Sequence, residues 1–401
     1  MGSTADSGTY FRKGFGLKAD VEGELSADYS GQIVDFLRAN DYTLVESGTT
    51  IRLAREFGFC YGVERAVEYA YQTRRKFPGR PLYLVGEIIH NPHVNDRLRE
   101  MGVTILEGGD AGFDFSGLGP TDVVILPAFG VTIDDFAALR ELGCVLVDTT
   151  CGSVLNVWKR VEVYARDGFT ALIHGKHYHE ETRATASQVR KHANGHYLVV
   201  RNMEEAQVVC GFVEGRLSRQ ALLDRFSPHA VSPDFDPDMH LKRIGVANQT
   251  TMLASESLAI AAEVGDVMER VRGREARERD FRSFDTICSA TQERQDAVRE
   301  LLAEPLDAMV VIGGFNSSNT ISLTALCAER VTTYHVESPE GIDPIAGTIH
   351  HRPAGVEHRE ATSADWLPRG EIRIGITAGA STPNSKIGEA VQRIFETRAG
   401  K

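Results

Sequence analysis

Three cysteines far apart in the sequence, Cys60, Cys151 and Cys288, share one local pattern. Each follows a short turn, and the apolar residues behind it recur at helical spacing, which predicts a helix that begins at the cysteine. Those apolar residues are Val63, Ala66, Val67, Ala70 and Tyr71; Val154, Val157, Trp158 and Val161; and Ala297, Val298, Leu301 and Leu302. The dipole and unpaired N–H groups of a helix N-terminus favour thiolate over thiol. Thiolate is the form that binds a metal ion or an iron–sulfur cluster.

These three cysteines could act together in one site. If they converge, three thiolates could hold three irons of a 4Fe–4S cluster and leave the fourth iron open to a substrate. The alternative is three unrelated, half-buried cysteines, and the local pattern alone leaves both interpretations open. The remaining cysteines, Cys144, Cys210 and Cys327, lie among apolar residues and are predicted to be buried core residues.

The composition is that of an ordinary soluble globular protein of 401 residues, 42% hydrophobic and 25% charged. The net charge of −12 argues against general nucleic-acid binding, although it leaves room for a local basic pocket. No apolar stretch is long enough to cross a membrane, and the first residues lack the pattern of a secretory signal. Six cysteines in so long a chain predict no disulfide framework, so we expect reduced thiols and a cytoplasmic location.

From residue 51 onward, strand patterns alternate with amphipathic helix patterns, which predicts the α/β class with largely parallel, covered sheets. The predicted strands span residues 82–85, 123–126, 171–173, 197–200, 244–247, 309–312 and 372–376. Ligands of such sheets gather where parallel strands end, so polar residues at those ends deserve the most weight as site candidates.

The three cysteine patterns divide the chain into three expected α/β units. The first unit is expected at 51–150 with Cys60, the second at 151–287 and the third at 288–401. Residues 1–50 are interpreted as an N-terminal extension with no obvious chemistry of its own. Residues 339–370 carry proline, glycine and weak periodicity, and we interpret them as a surface insertion in the third unit.

Several strand ends carry groups that could transfer protons. His90 lies just past the strand at 82–85, where a lone histidine is more often structural than functional. The loop after the strand at 171–173 holds three histidines, a lysine and two acids, with His179 and Glu181 among them. Zinc binding is one interpretation of this loop. Because no cysteine pair or HExxH helix accompanies it, an anion pocket with a proton donor fits at least as well. Thr250 follows the strand at 244–247.

Two strands in the last third of the chain end in glycines followed by short hydroxyl and amide side chains. The first runs Gly313-Gly314-Phe315-Asn316-Ser317-Ser318-Asn319, and the second runs Thr377-Ala378-Gly379-Ala380-Ser381. Such loops offer N–H, O–H and amide donors to phosphate oxygens. The first loop lacks the lysine of a Walker loop and does not match GxGxxG. Either loop alone could be a capping turn, but the pair favours phosphate binding.

Taken together, these residues make the chain, from about residue 51 to its C-terminus, similar to the family of 4-hydroxy-3-methylbut-2-enyl diphosphate reductases. The resemblance rests on seven separated motifs: Gly58-Phe59-Cys60-Tyr61-Gly62-Val63, Glu87-Ile88-Ile89-His90-Asn91, Asp148-Thr149-Thr150-Cys151, His179-Glu180-Glu181-Thr182, Gln249-Thr250-Thr251, Asn316-Ser317-Ser318-Asn319 and Thr377-Ala378-Gly379-Ala380-Ser381. The segment Arg12-Lys13-Gly14-Phe15-Gly16 further resembles the plant and cyanobacterial branch. Where many bacterial members have a histidine, this chain has Phe129, as that branch does. The phenylalanine removes one expected diphosphate donor.

The resemblance implies a fold, a reaction and a role for each motif. Its fold is three α/β units with approximate threefold symmetry around a central cluster, and its reaction is the last step of non-mevalonate isoprenoid synthesis. By resemblance, Cys60, Cys151 and Cys288 hold a 4Fe–4S cluster, whose unique iron takes the substrate's hydroxyl group. Glu181, with Thr250 beside it and near the substrate, would deliver the proton that lets hydroxyl leave as water. The residues expected to cradle the diphosphate are His90, His179, Ser317, Ser318, Asn319 and Ser381.

The implied partners are a diphosphate substrate and an external one-electron donor, since no side chain can supply two electrons. The plant-like resemblance favours ferredoxin as that donor, with flavodoxin as the other choice. Two alternatives remain: another 4Fe–4S enzyme of similar three-unit plan, such as a quinolinate synthase, and a non-catalytic redox sensor. The first would not explain the loop of His179 and Glu181 together with Asn316–Ser317–Ser318–Asn319, and a sensor would need no phosphate cradle.

Overall fold

The computed structural model describes residues 9–109, 112–356 and 359–399. These residues divide into two compact units. The first unit comprises the described residues up to 12, with 83–86 and 106–288, and the second comprises 13–82, 87–105 and the described residues from 289 onward.

Strands and helices alternate through most of the described chain. The strands are β1 (Tyr10–Phe11), β2 (Thr43–Glu46), β3 (Thr49–Leu53), β4 (Leu82–Val85), β5 (Val103–Leu106), β6 (Gly108–Gly109), β7 (Gly112–Phe113), β8 (Val123–Leu126), β9 (Val145–Asp148), β10 (Thr170–His174), β11 (Tyr197–Val200), β12 (Ile244–Asn248), β13 (Phe281–Ser283), β14 (Ala308–Ile312), β15 (Thr333–Val336), β16 (Ile342–Asp343), β17 (Thr348–His351), β18 (Ala361–Ala364) and β19 (Ile372–Ala378). The α-helices are α1 (Lys18–Tyr29), α2 (Gln32–Ala39), α3 (Tyr61–Lys76), α4 (Pro92–Glu100), α5 (Ile133–Glu141), α6 (Gly152–Arg166), α7 (Glu180–Gln188), α8 (Met203–Val213), α9 (Arg219–Leu223), α10 (Pro237–His240), α11 (Ala254–Arg272), α12 (Arg274–Asp280), α13 (Ser289–Leu301), α14 (Ser318–Ala328) and α15 (Asn384–Ala399).

Three larger sheets organise these elements. Their strand orders are β1-β9-β8-β4-β5, β11-β10-β12-β13 and β15-β14-β19-β3-β2. The second sheet is parallel throughout, and the third is parallel except where β2 pairs antiparallel with β3. Strands such as β8 and β10 are buried along their whole length, as expected when helices cover both faces of a parallel sheet. The predicted α/β class is confirmed.

All seven strands predicted from the sequence are present. Three have the predicted bounds, at 82–85, 123–126 and 197–200, and the other four extend by one or two residues. Unbroken apolar runs mark these strands clearly, because a strand covered on both faces must be apolar on both. Their carboxyl ends carry the loops that hold the candidate site residues.

Each unit has its own apolar core. In the first unit, Val161, Phe169 and Leu172 pack in a core with residues of α8 and α11. In the second, the core around Ile312 and Ile374 also contains residues of α2 and α15. No helix in the described ranges combines the length and apolar character that a bilayer span requires.

Candidate active site

The three cysteines of the shared pattern stand where the sequence predicts them, each at the start of a helix. Cys60 is the N-cap residue of α3, and Cys151 is the N-cap residue of α6. Cys288 directly precedes α13. All three are partly exposed. Each lies at a helix N-terminus, where a thiolate is stabilised.

The other three cysteines have a different environment. Cys144, Cys210 and Cys327 are buried, with 2%, 2% and 0% of their surface exposed, which confirms the prediction that they are core residues. Burial raises the pKa of both the Cys210 and the Cys327 thiol to about 12. These groups therefore stay protonated at neutral pH and do not compete for a metal.

In the first unit, a chain of hydrogen bonds joins Glu181, Thr250 and Cys288. The Glu181 carboxylate is 1% exposed; its Oε1 accepts from the Thr250 N–H at 2.6 Å and its Oε2 from the Thr250 hydroxyl at 2.9 Å. The carbonyl of Thr250 accepts from the Cys288 N–H at 3.2 Å. A buried acid is thus fixed, through one residue, to the backbone of a candidate metal ligand.

The loop that carries Thr250 is itself held on two sides. Gln249 Oε1 accepts from the Thr182 hydroxyl at 3.0 Å and from the Lys176 N–H at 3.1 Å, which ties this loop to α7 and the turn before it. Thr286 Oγ1 bonds both backbone groups of Asn248, at 2.7 Å and 2.8 Å, which ties the loop to the segment before Cys288. The side chains around Glu181 are therefore positioned by a well-connected loop.

His179 is the N-cap residue of α7. Its Nδ1 accepts from the Glu181 N–H at 3.1 Å, so a neutral imidazole here carries its proton on Nε2. The edge of its ring meets Phe129, with ring centres 5.5 Å apart and planes at 83°. The residue before Phe129, Ala128, accepts from the Cys151 N–H at 2.9 Å. Phe129 thus packs against His179, a candidate diphosphate-binding residue, at a position where a histidine would offer another hydrogen-bond donor.

The N-terminal extension, interpreted from the sequence as a segment with no obvious chemistry of its own, contributes two side chains to this unit. Asp148, three residues before Cys151, accepts from the Tyr10 hydroxyl at 2.6 Å and lies 3.5 Å from the Arg12 guanidinium. Its other oxygen accepts from the N–H and the hydroxyl of Thr150, at 3.0 Å and 2.5 Å. Burial and the Asp148 carboxylate both raise the pKa of Tyr10, so the phenol keeps the proton that it donates. The extension therefore supports the Cys151 loop.

In the second unit, the loop after β19 links four of the predicted site residues. The Ala380 carbonyl accepts from the Cys60 N–H at 3.2 Å, and the Ala380 N–H donates to Asn319 Oδ1 at 2.8 Å. The next residue, Ser381, donates its hydroxyl proton to the His90 carbonyl at 3.0 Å. The structure thus brings Cys60, His90, Asn319 and Ser381 together within this unit.

The loop between β14 and α14 leads to a helix N-terminus with two short hydroxyl side chains. Ser317 is the N-cap of α14 and Ser318 is its first residue, and both side chains are buried. Gly313 has a φ of +148°, and a Cβ on it would lie 2.6 Å from Thr320 Oγ1, so only glycine fits there. N–H groups at such a helix start favour phosphate oxygens.

A carboxylate orients His90. Glu87 Oε2 accepts from His90 Nδ1 at 2.7 Å and from the Asn316 side-chain amide at 3.0 Å. The hydrogen bond at Nδ1 therefore holds the imidazole in one orientation. The same carboxylate also binds Asn316, the residue before Ser317.

A buried arginine near Cys60 was not identified from the sequence. Arg294 is 3% exposed; its Nε and Nη2 donate to the Gly58 carbonyl at 3.2 Å and 2.6 Å, and its Nη1 donates to Ala290 at 2.8 Å. Within the described ranges, no carboxylate lies within ion-pair distance of it. Arg294 follows Thr291 by three positions and precedes Val298 by four, and both of these residues are buried in α13. This helical spacing could have placed Arg294 on the buried face of the helix.

Replacing Arg294 by methionine should lower the thermal unfolding midpoint markedly. The change leaves the buried Gly58 carbonyl without its donors and removes charge-assisted bonds, a loss of about 3 kcal/mol or more. Arg294→Lys keeps the charge and one donor, so it should recover part of the loss. A methionine variant with the wild-type midpoint would show that the Gly58 segment is held by other contacts.

Comparison with known proteins supports one family. The model of the LytB protein family matches residues 51–395. A 4-hydroxy-3-methylbut-2-enyl diphosphate reductase of Gloeobacter violaceus is 48% identical over 98% of this chain and 93% of its own length. The enzyme of that name from Thermosynechococcus vestitus is 46% identical over 99% and 97%.

Two solved structures agree in fold with this chain. A structure of (E)-4-hydroxy-3-methyl-but-2-enyl diphosphate reductase matches with a TM-score of 0.51 and 28% identity, over 86% of this chain and 99% of that chain. A Plasmodium falciparum reductase structure, at 20% identity and a TM-score of 0.62, covers 85% of this chain and 86% of its own, and its likeness shows the fold alone. From the family match and the near full-length relatives, we conclude that this chain belongs to the LytB protein family.

Proposed function

We propose that this chain is an oxidoreductase that removes the hydroxyl group of 4-hydroxy-3-methylbut-2-enyl diphosphate. The hydroxyl would leave as water, and two electrons and two protons would be taken up overall, one proton by the leaving oxygen and one by the allylic carbon. The products would be isopentenyl and dimethylallyl diphosphate, in the last step of the non-mevalonate pathway. Relatives bearing this reductase name match nearly the whole chain. The structural observation that supports the proposal most is the link from the buried Glu181 carboxylate through Thr250 to Cys288.

A 4Fe–4S cluster fits the cysteine chemistry of this chain. Three thiols stand partly exposed at helix starts, whereas the other three are buried. We propose that Cys60, Cys151 and Cys288 hold the cluster and leave one iron without a protein ligand. When bound, the cluster supplies electrons one at a time and an iron that accepts a hydroxyl oxygen.

Glu181 is proposed as the general acid. Hydroxide is a poor leaving group, and a proton placed on its oxygen lets it leave as water. Thr250 contacts both oxygens of the Glu181 side chain, which restricts the carboxyl group to one orientation. In the acid form, one of these oxygens would carry the proton that is transferred. The burial of Glu181 excludes bulk water from this proton.

The diphosphate is proposed to bind the helix starts of α7 and α14 and the loop after β19. His90 and His179 would supply imidazole donors, and Ser317 and Ser318 would supply hydroxyl donors. Ser381 would supply its hydroxyl proton after turning it from the His90 carbonyl, to which it donates in this structure. Asn319 is proposed to offer its side-chain NH2 group to the diphosphate as well, while its Oδ1 positions the Ser381 loop by accepting from the Ala380 N–H. These contacts bind the anion and orient its allylic end for reaction.

The electrons must come from outside the chain, since no side chain supplies two of them. We propose a one-electron carrier protein, ferredoxin or flavodoxin, as the donor. None of the six cysteines, all of which lie in the described ranges, forms a disulfide, which fits a reducing compartment, and we propose the cytoplasm.

The proposed function is tested on anaerobically purified protein with its iron and sulfide measured. Reduced viologen dye is mixed with 4-hydroxy-3-methylbut-2-enyl diphosphate, and the products are identified by mass spectrometry. Substrate-dependent oxidation of the dye with five-carbon diphosphate products is expected. An intact cluster with no turnover would contradict the proposal.

Ser317→Ala should raise the KM for the diphosphate substrate by about tenfold, with little change in kcat, because phosphate contacts act equally on bound substrate and transition state. Its hydroxyl caps α14 through the Thr320 N–H at 3.4 Å, so the thermal midpoint should be measured alongside. Ser322→Ala, in the middle of the same helix, is the matched control. An unchanged KM in Ser317→Ala would remove this hydroxyl from the anion site.

A further inference from the structure

The described residues of 339–370, which we call the insert, form part of the core of the second unit. The insert contributes β16, β17 and β18 as an antiparallel sheet. Ile342 and Ile349 are 0% exposed, and Trp366 and Leu367 are 5% and 1% exposed. They pack in the same cluster as Ile312, the last residue of β14. The insert therefore has a fixed position next to the strand that ends at the proposed anion loop.

The insert and the residues next to it contact the proposed anion loop, residues 313–319, at Phe315. The Arg352 guanidinium, which follows β17 of the insert, donates from Nη1 to the Phe315 carbonyl at 2.8 Å and lies 4.3 Å from the centre of its ring. The Phe315 N–H donates to Glu337 Oε1 at 3.2 Å. Both backbone groups and one face of the ring are thus fixed, two residues before the N-cap Ser317.

A buried histidine completes this arrangement. His335 meets the Phe315 ring edge-on, with centres 5.0 Å apart, and its Nε2 donates to the Gly313 carbonyl at 2.9 Å. Burial lowers the pKa of His335 to about 4, so the ring is neutral at physiological pH. The positive charge that contacts Phe315 is on Arg352 and not on His335. The Arg352 backbone N–H in turn donates to the His335 carbonyl at 2.9 Å.

Arg352 is oriented from within the insert. Its Nη2 lies 3.3 Å from Glu360 Oε1, and only 17% of the side chain is exposed. A planar guanidinium held by a carboxylate on one side can present its other edge and its face to Phe315 at the same time. Lysine has the charge but lacks that fork.

We propose that Arg352 is a positioning residue through which the insert fixes the loop of residues 313–319 for diphosphate binding. The inference rests on the proposed function, because it assigns a role to a residue beside the proposed anion site. Fixing Phe315 fixes the direction in which α14 begins, and so the aim of its N–H groups and of the Ser317 and Ser318 side chains. Preorganised donors bind an anion more tightly than donors that must be ordered on binding.

Three variants test this proposal: Arg352→Met, Arg352→Lys and the control Arg393→Met. Arg393 donates to the Ile342 carbonyl at 3.0 Å, so it contacts the insert at β16. In the unliganded holoenzyme, Arg352→Met should speed hydrogen exchange of the amides of residues 313–319. It should also raise the inhibition constant of inorganic pyrophosphate and the KM of the substrate about tenfold, with kcat within about twofold of wild type. Arg352→Lys should give intermediate exchange rates, inhibition constants and KM values. In Arg393→Met, all three quantities should equal those of the wild type.

Two outcomes would overturn the inference. One is wild-type exchange and pyrophosphate inhibition in Arg352→Met, or in Arg352→Lys should the methionine variant fail to fold. The other is an equal effect of Arg393→Met, which would show that any loosening of the insert suffices. The exchange measurement needs no turnover, so it tests Arg352 even if the wild-type protein fails to reduce the substrate and the proposed function falls.

Discussion

Glu181→Gln is expected to lower kcat by about a hundredfold or more while the iron content of the protein stays unchanged. The glutamine has nearly the same size, and its oxygen can still accept one hydrogen bond from Thr250. It has no acidic proton to give to the leaving hydroxyl, however. Its NH2 group also replaces one of the two carboxylate oxygens that accept from the Thr250 N–H at 2.6 Å and from the Thr250 hydroxyl at 2.9 Å. The measurement is steady-state turnover with reduced viologen dye, together with substrate binding followed by the absorption of the cluster.

Glu180→Gln is the matched control for this prediction. Glu180 lies in the same turn of α7 but is exposed, whereas Glu181 is 1% exposed. The control should therefore keep a kcat near that of wild type. If Glu181→Gln turned over substrate as fast as the control, another group would have to deliver the proton. A loss of iron in Glu181→Gln would instead show that its carboxylate supports the Cys288 segment.

The sequence was sufficient for those parts of the site that local patterns encode. A strand buried on both faces is an apolar run, so β4, β8 and β11 were predicted with their observed bounds. The helices after Cys60, Cys151 and Cys288 follow the 3.6-residue spacing of their apolar faces, which marks where each begins. The polar loops also follow the strands as the sequence predicts; that they bind a ligand, as such strand ends often do, stays a prediction.

The remaining contacts were not predictable from local patterns because they join distant residues. Tyr10 and Asp148 are 138 positions apart, and Arg294 and Gly58 are 236 apart. The spacing of apolar residues does not predict such a pairing, because it reflects only the local helix or strand and not the distant residue that the side chain contacts. For the same reason the insert was interpreted only as a surface segment, although it buries Ile342 and Ile349 completely. Asn319 makes another such contact, since its Oδ1 accepts from the Ala380 N–H; the role of its side-chain NH2 group as a diphosphate donor stays a prediction.

Cys151→Ala is expected to lose most of the iron and sulfide of the protein, and with them the visible absorption and the turnover. Three thiolates are the fewest that can hold three irons, so removing one leaves an iron without a protein ligand. The change is conservative for the fold, since Cys151 is a partly exposed N-cap residue whose side chain makes no cap hydrogen bond. The backbone bond from its N–H to Ala128 does not depend on the side chain. Iron and sulfide are measured per chain after anaerobic purification.

Cys327→Ala separates the loss of a ligand from the loss of any thiol. Cys327 is 0% exposed, and burial raises the pKa of its thiol to about 12, so it remains a protonated core residue. Its replacement should lower the thermal midpoint slightly, because it leaves a small cavity, and should keep the wild-type iron content. In metal-free native protein, iodoacetamide should modify Cys60, Cys151 and Cys288 and spare Cys144, Cys210 and Cys327, because only thiols that solvent reaches can react. Full iron and sulfide in Cys151→Ala, or equal iron loss in both variants, would contradict the assignment of the three helix-start cysteines as the cluster ligands.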